Sequence, residues 1–184
     1  SSTTDFTTVL ALTTPANETI QFTGNSSFTG DFGDSKVVVD SGVTLTTSAS
    51  TISAIQVANS GTIAITDLDN DSGTADADLS TITGSGTATA TWDGTDTFAG
   101  NLGTVSVDIA SGVMSADGSK IDGKTITGAG TLTITGKGDG DLDVSSITTT
   151  PALDVNISDG TTTLTGVTID VDASGSSSII NMTT

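Results

Sequence analysis

The chain has no cysteine and no histidine. That excludes a disulfide framework, a thiol nucleophile, a zinc-finger-type site and a Ser-His-Asp triad. It has no arginine either. Four lysines face 22 acidic residues, for a formal net charge of −18. Duplex binding rests on Lys and Arg neutralising phosphates, so nucleic acid is repelled. The same charge disfavours anionic membrane surfaces. No apolar run approaches the roughly 18 residues of a spanning helix, so no membrane insertion is expected. Tyrosine is absent, tryptophan occurs once, and prolines number two. Ser1 opens a polar stretch rather than a secretory leader, as expected of a mature or excised piece.

What remains is mostly Ser, Thr, Gly and Asp, with Val, Ile and Leu threaded through. High charge with low hydrophobicity is the composition of disorder. Here charged residues are only 14% of the chain, and the apolar residues alternate with Thr and Ser. Alternation at period two is the signal of a half-buried strand. No window shows a 3.6-residue period, so no helix is expected. The 184 residues suit one all-β domain.

A short phrase recurs: a small residue, glycine, then a strand. It reads Ser41-Gly42-Val43-Thr44-Leu45-Thr46, Ser60-Gly61-Thr62-Ile63-Ala64-Ile65, Ser85-Gly86-Thr87-Ala88-Thr89-Ala90, Ser111-Gly112-Val113-Met114, Ala129-Gly130-Thr131-Leu132-Thr133-Ile134 and Asp159-Gly160-Thr161-Thr162-Thr163-Leu164. The glycines are 19, 25, 26, 18 and 30 residues apart. Such spacing predicts a solenoid whose rungs bury a shared ladder. The expected ladder is Leu45, Ile63, Ala88, Leu132 and Leu164, with the intervening threonines outward. Glycine at each strand start permits a corner or a close backbone approach. The prediction is an irregular β-solenoid with acidic loops. Residues 1–40 form an N-terminal strand and cap region holding Phe6, Phe22, Phe28 and Phe32, and residues 41–175 form the repeats. The alternative is a β-sandwich of short strands.

Aspartates gather where the repeat is interrupted. One run holds Asp67, Asp69, Asp71, Asp76 and Asp78; another holds Asp139, Asp141 and Asp143. Calcium takes six to eight oxygen ligands, which carboxylates alternating along a loop can supply. These eight are the candidate ligands and Ca2+ the candidate cofactor. Neither run fits a known calcium loop: the first lacks the EF-hand glycine and distal Glu, and the glycines of the second are out of register with the nonapeptide repeat. The competing reading is that the aspartates form turns and a solubilising surface.

Catalysis has little support. Asp40-Ser41-Gly42 and Asp71-Ser72-Gly73 match an aspartic-protease triplet, but the repeat explains the first and an acidic loop the second. Paired aspartates of a glycosidase would lack basic and aromatic groups to hold a sugar. The expectation is no enzyme. Thr-x-Thr pairs such as Thr44/Thr46, Thr87/Thr89/Thr91 and Thr131/Thr133/Thr135 would place a lattice of hydroxyls and methyls on a flat face, as in ice-binding solenoids. Threonine is also simply a good outward strand residue. Five of the seven asparagines lie in N-x-[ST] sequons, namely Asn17, Asn25, Asn70, Asn156 and Asn181, which fits an exported protein.

The stretch Ile126-Thr127-Gly128-Ala129-Gly130-Thr131-Leu132-Thr133-Ile134-Thr135-Gly136 resembles strand-repeat segments of very large secreted bacterial surface proteins, the S-layer subunits and repetitive adhesins. The likeness covers roughly residues 41–170. It implies an extracellular structural role, often with calcium. The expected function is a self-assembling surface-layer or filament subunit at the cell surface, its principal partner other copies of itself. Strand-like Asp5–Leu12 and the apolar end Ser178–Met182 are the candidate assembly segments. The alternative is an adhesin, or an ice- or glycan-binding module, that uses Thr-rich strand faces.

Overall fold

The computed structural model describes residues 18–69, 74–136 and 142–149, with two further short strands at Asp154–Val155 and Leu164–Thr165. It is a β-solenoid of about 7 turns. Every assigned strand pair is parallel, which a sandwich built from hairpins would not give.

The coil opens with β1 (Thr19–Phe22) and β2 (Ser26–Phe28). The next rung has β3 (Lys36–Val39), β4 (Thr44–Ser48) and a one-turn helix α1 (Ala49–Ile52). Then come β5 (Val57–Asn59), β6 (Thr62–Thr66) and β7 (Thr74–Ala75), followed by β8 (Ile82–Gly84), β9 (Thr87–Trp92) and β10 (Thr95–Phe98). After them lie β11 (Ser106–Ile109), β12 (Val113–Asp117) and α2 (Gly118–Ile121), then β13 (Ile126–Gly128), β14 (Thr131–Gly136) and β15 (Leu142–Asp143). β16 (Ile147–Thr149), β17 (Asp154–Val155) and β18 (Leu164–Thr165) complete the order. The strands stack into three main sheets. The first runs β1-β3-β5-β8, the second β2-β4-β6-β9-β11-β13-β16, and the third β7-β10-β12-β14-β17.

Alternation decides which side chains enter the coil. In β4 and β6, Leu45, Thr47, Ile63 and Ile65 are buried while their neighbours are not. One inward column crosses the whole second sheet: Phe28, Thr47, Ile65, Ala90, Val107, Ile126 and Ile147. At the N-terminal end Phe22, Phe28 and Phe32 pack together. The Phe28 and Phe32 rings stack at 4.2 Å, and Phe22 meets each edge-on at 6.3 Å.

The expected ladder is only partly formed. Leu45, Ile63 and Ala88 are in register on the second sheet. Leu132 is on the third sheet beside Met114, and Leu164 pairs with Leu142. The cause is a slip of one face. Gly42, Gly61 and Gly86 turn the chain from the first sheet to the second, whereas Gly112 and Gly130 turn it from the second to the third. The rung of β8, β9 and β10 occupies all three sheets and contains a second corner at Asp93-Gly94-Thr95. Counted from Gly94, the next two corner glycines, Gly112 and Gly130, follow at 18-residue intervals.

Two short helices stand where none is expected. Each spans one turn, too short to show a 3.6 period. Ser48 caps α1 by accepting from Thr51 N–H, and Asp117 caps α2 by accepting from Ser119 N–H. The residues after them match as well: Ala54 and Gly123 both adopt positive φ, 60° and 63°. Residues 37–57 and 107–126 are therefore one structural phrase used twice, on different pairs of faces.

Thr47 departs from the outward rule for threonine. It is 2% exposed, and its Oγ1 has no hydrogen-bond partner. A buried hydroxyl without a partner costs on the order of 1–3 kcal/mol. Thr47→Val removes it at nearly constant shape and is expected to stabilise the fold by about 1 kcal/mol. Urea unfolding should show a raised midpoint at an unchanged m-value.

Candidate functional site

Of the eight predicted metal ligands, Asp71, Asp139 and Asp141 lie outside the described residues. Asp67, Asp69, Asp76, Asp78 and Asp143 are described. Among the described residues no three metal-ligating side chains gather into one group.

Two of the five have turn partners. Asp78 Oδ1 accepts from Ser80 N at 3.1 Å and from Ser80 Oγ at 2.6 Å. Asp143 Oδ1 accepts from Ser145 N at 2.9 Å. Hydrogen bonds from the Ser80 and Ser145 side chains, and then from their backbone N–H groups, hold the Asp78 and Asp143 carboxyls below the ordinary value of 3.8. The stabilisation they bring is present above that value and is lost as pH falls through the lowered native one. The same turn recurs at Asp31 with Gly33 N, Asn101 with Gly103 N and Asp117 with Ser119 N. The phrase behind three of them was readable: Asp78-Leu79-Ser80-Thr81-Ile82, Asn101-Leu102-Gly103-Thr104-Val105 and Asp143-Val144-Ser145-Ser146-Ile147. A short acceptor side chain closes this turn onto the N–H two residues on, which favours Asp and Asn over Glu.

Asp67 and Asp69 are arranged differently. Asp67 has φ 53° and accepts from Thr66 Oγ1 at 2.8 Å. Asp69 is 8% exposed, and its Oδ1 is buried with no partner. It lies under the Asp93-Gly94 corner, close enough that a Cβ on Gly94 would come 2.3 Å from Asp69 Oδ2. Asp76 is exposed. Of the two protease-like triplets, the Asp40 carboxylate accepts both its bonds from Gln21 Nε2, at 2.9 and 3.0 Å, and Asp71 lies outside the described residues. A cleft of about 390 Å³ beside Lys36 has a single carboxylate, Asp34, in its lining, so no carboxylate pair faces it.

The most ordered surface is the outer face of the second sheet. Three columns stand out across β4, β6 and β9. Thr44, Thr62 and Thr87 are in register, as are Thr46, Ala64 and Thr89. Ser48 pairs with Thr66, and Thr91 lies one position beyond the Ile65–Ala90 pair. These nine positions carry seven threonines, one serine and one alanine, and no charge. The middle column extends to Ser27 and Ser106, and the last to Asp108, Thr127 and Thr148. All nine are exposed or half-buried. Thr87 Oγ1 lies 3.4 Å from Thr62 Oγ1, so hydroxyls of successive rungs reach one another. On the third sheet the corresponding array is interrupted by Val113 between Thr95 and Thr131.

Comparison with known protein families, curated proteins and solved structures finds no match. The functional reading therefore rests on geometry. No helix among the described residues is long and apolar enough to cross a membrane.

Proposed function

We propose that the chain is a non-enzymatic extracellular repeat module whose second sheet is a contact face for a neutral, repetitive surface. The observation that carries this reading is the nine-position hydroxyl and methyl block on β4, β6 and β9. Parallel strands hold neighbouring residues of one column about 4.8 Å apart, and successive columns, two residues apart along each strand, are about 6.6–6.8 Å apart. β-branched threonine is stiff at χ1, so each hydroxyl is pre-positioned. The chain has a net charge of −18, yet this block has none, which spares a neutral partner the repulsion found elsewhere on the chain. The test is pull-down on insoluble neutral lattices: cellulose, chitin and ice. Retention on at least one is expected, and Thr89→Lys should release the protein without moving its melting point. Equal retention of the variant, or no retention on any lattice, counts against the reading.

A second reading, a self-assembling surface-layer or filament subunit, is favoured by the open strand edges. Among the described residues β1 and β2 each pair on one side only, leaving backbone donors and acceptors for another strand. Calcium belongs with either reading, and Asp69 supports it: a buried carboxylate oxygen without a partner is where a cation would be most favourable. Its ligands would include Asp69, with Asp67 two residues before it in the same loop. Calcium is expected to raise the melting temperature over a chelator, and Asp69→Asn to remove most of that difference. An identical melt in both buffers leaves the aspartates as turn formers and surface charge.

A further inference from the structure

The geometry points to ice as the lattice that the second sheet recognises, an inference that rests on the contact-face reading above. The composition of the face narrows the partner. A glycan site normally offers aromatic rings to sugar faces, and this chain has no tyrosine and one tryptophan, Trp92, which is fully buried. A protein interface is enriched in Tyr, Trp, Phe, Met and Arg at its core, and the block contains none of these. What it does contain suits ordered water. Each threonine presents one hydroxyl that both donates and accepts, beside a methyl that cannot do either. Water around the methyl must bond to other water, and water at the hydroxyl is anchored to the protein. Repeated at about 4.8 Å across strands and about 6.6–6.8 Å along them, that pairing orders a water layer in two dimensions. The across-strand spacing is close to the shorter oxygen repeat on a prism face of hexagonal ice, while the along-strand spacing is somewhat shorter than the longer repeat. The absence of charge fits too, because an ion of either sign orients water radially and is not accommodated in the ice lattice.

The register is what makes the face a grid. Rungs of different lengths separate β4, β6 and β9, yet Thr44, Thr62 and Thr87 fall in one column, and Thr46 and Thr89 in the next. The extra residues of the longer rung are placed after Thr66, in the Asp67–Asp78 segment, where they leave the columns undisturbed. Ala64 keeps the methyl at the centre of the block and omits the hydroxyl.

The experiment uses the full chain. Ice-affinity partitioning and the shape of ice crystals grown in its presence are measured for the wild type, Thr89→Lys, Thr62→Lys, Thr89→Val and a control, Thr97→Lys, on the exposed third sheet. Circular dichroism melts check that each variant is folded. Wild type and Thr97→Lys are expected to enter the ice fraction and facet the crystals. Thr89→Lys and Thr62→Lys should stay in the liquid with unchanged melts, and Thr89→Val should be weakened less than Thr89→Lys. If the wild type stays in the liquid, or the two lysine variants on the grid enter ice as it does, the inference is overturned. Thr89-dependent retention on cellulose or chitin with none on ice overturns ice alone and leaves the contact-face reading standing. No retention on any of the three overturns both.

Discussion

Gly112→Ala is expected to destabilise the solenoid by about 3–5 kcal/mol, and Gly42→Ala by only about 1–2 kcal/mol. The two glycines occupy the same local phrase, Ser-Gly-Val, Gly42 at the corner between the first and second sheets and Gly112 at the corner between the second and third. Their backbones are nearly alike, with φ 78° at Gly42 and 74° at Gly112. A left-handed conformation costs any L side chain roughly 1–2 kcal/mol, so both variants carry that term. The difference lies in what is beneath. A Cβ on Gly42 would meet nothing within 4 Å. A Cβ on Gly112 would fall 1.9 Å from Gly94 O and 2.7 Å from Gly94 C, where only backbone can give way. Moving that backbone disturbs the bonds that Gly94 O accepts from Val113 N at 2.9 Å and from Trp92 Nε1 at 3.0 Å. Urea titrations followed by Trp92 fluorescence check the pair. Equal midpoints for the two variants would mean that rung contact adds nothing to the φ requirement.

Those corners also explain what the sequence revealed and what it concealed. Strand class was legible because Val, Ile and Leu alternate with Thr, and the corners because glycine stands at each strand start. The one-face slip was not. Asp93-Gly94-Thr95 is itself a corner phrase, but it follows Gly86 by eight residues, too soon for a rung, and is easily read as loop. Helices α1 and α2 are a single turn, so their signal is only a capping Ser or Asp. Thr47 looks identical to its outward neighbours by residue type, but its position two residues after Leu45 and its place between Phe28 and Ile65 point it inward. The acidic runs are dense along the chain without converging in space among the described residues: Asp78 is fixed by its own Ser80, and Asp69 is buried under Gly94. The Thr-x-Thr pairs were visible, but their columns were not, because rungs of unequal length set the register.

Trp92→Ala is expected to cost about 3–5 kcal/mol, enough to consume a large share of the 5–15 kcal/mol that holds a typical domain folded. Trp92 is the largest fully buried side chain in the described residues. Its ring meets Phe98 edge-on at 6.5 Å, and it pairs across the second sheet with Ile109. It stands on the rung of β8, β9 and β10, beside the corner that leads from the second sheet to the third, so the void left by alanine would open beside β10 as well as β9. A narrow coil has few other large side chains to move into that space, and the surrounding rungs are tied by parallel ladders on every face. Trp92→Phe separates packing from hydrogen bonding. It keeps most of the apolar ring and removes the indole donor, yet Gly94 O still accepts from Val113 N. Its expected cost is correspondingly smaller, about 1–2 kcal/mol. Both variants lack the chain's tryptophan, so far-ultraviolet circular dichroism in urea is the suitable readout. If Trp92→Phe were as damaging as Trp92→Ala, the hydrogen bond to the Gly94 corner would outweigh the volume of the ring. The corner, rather than the core, would then be what keeps the two halves of the coil in phase.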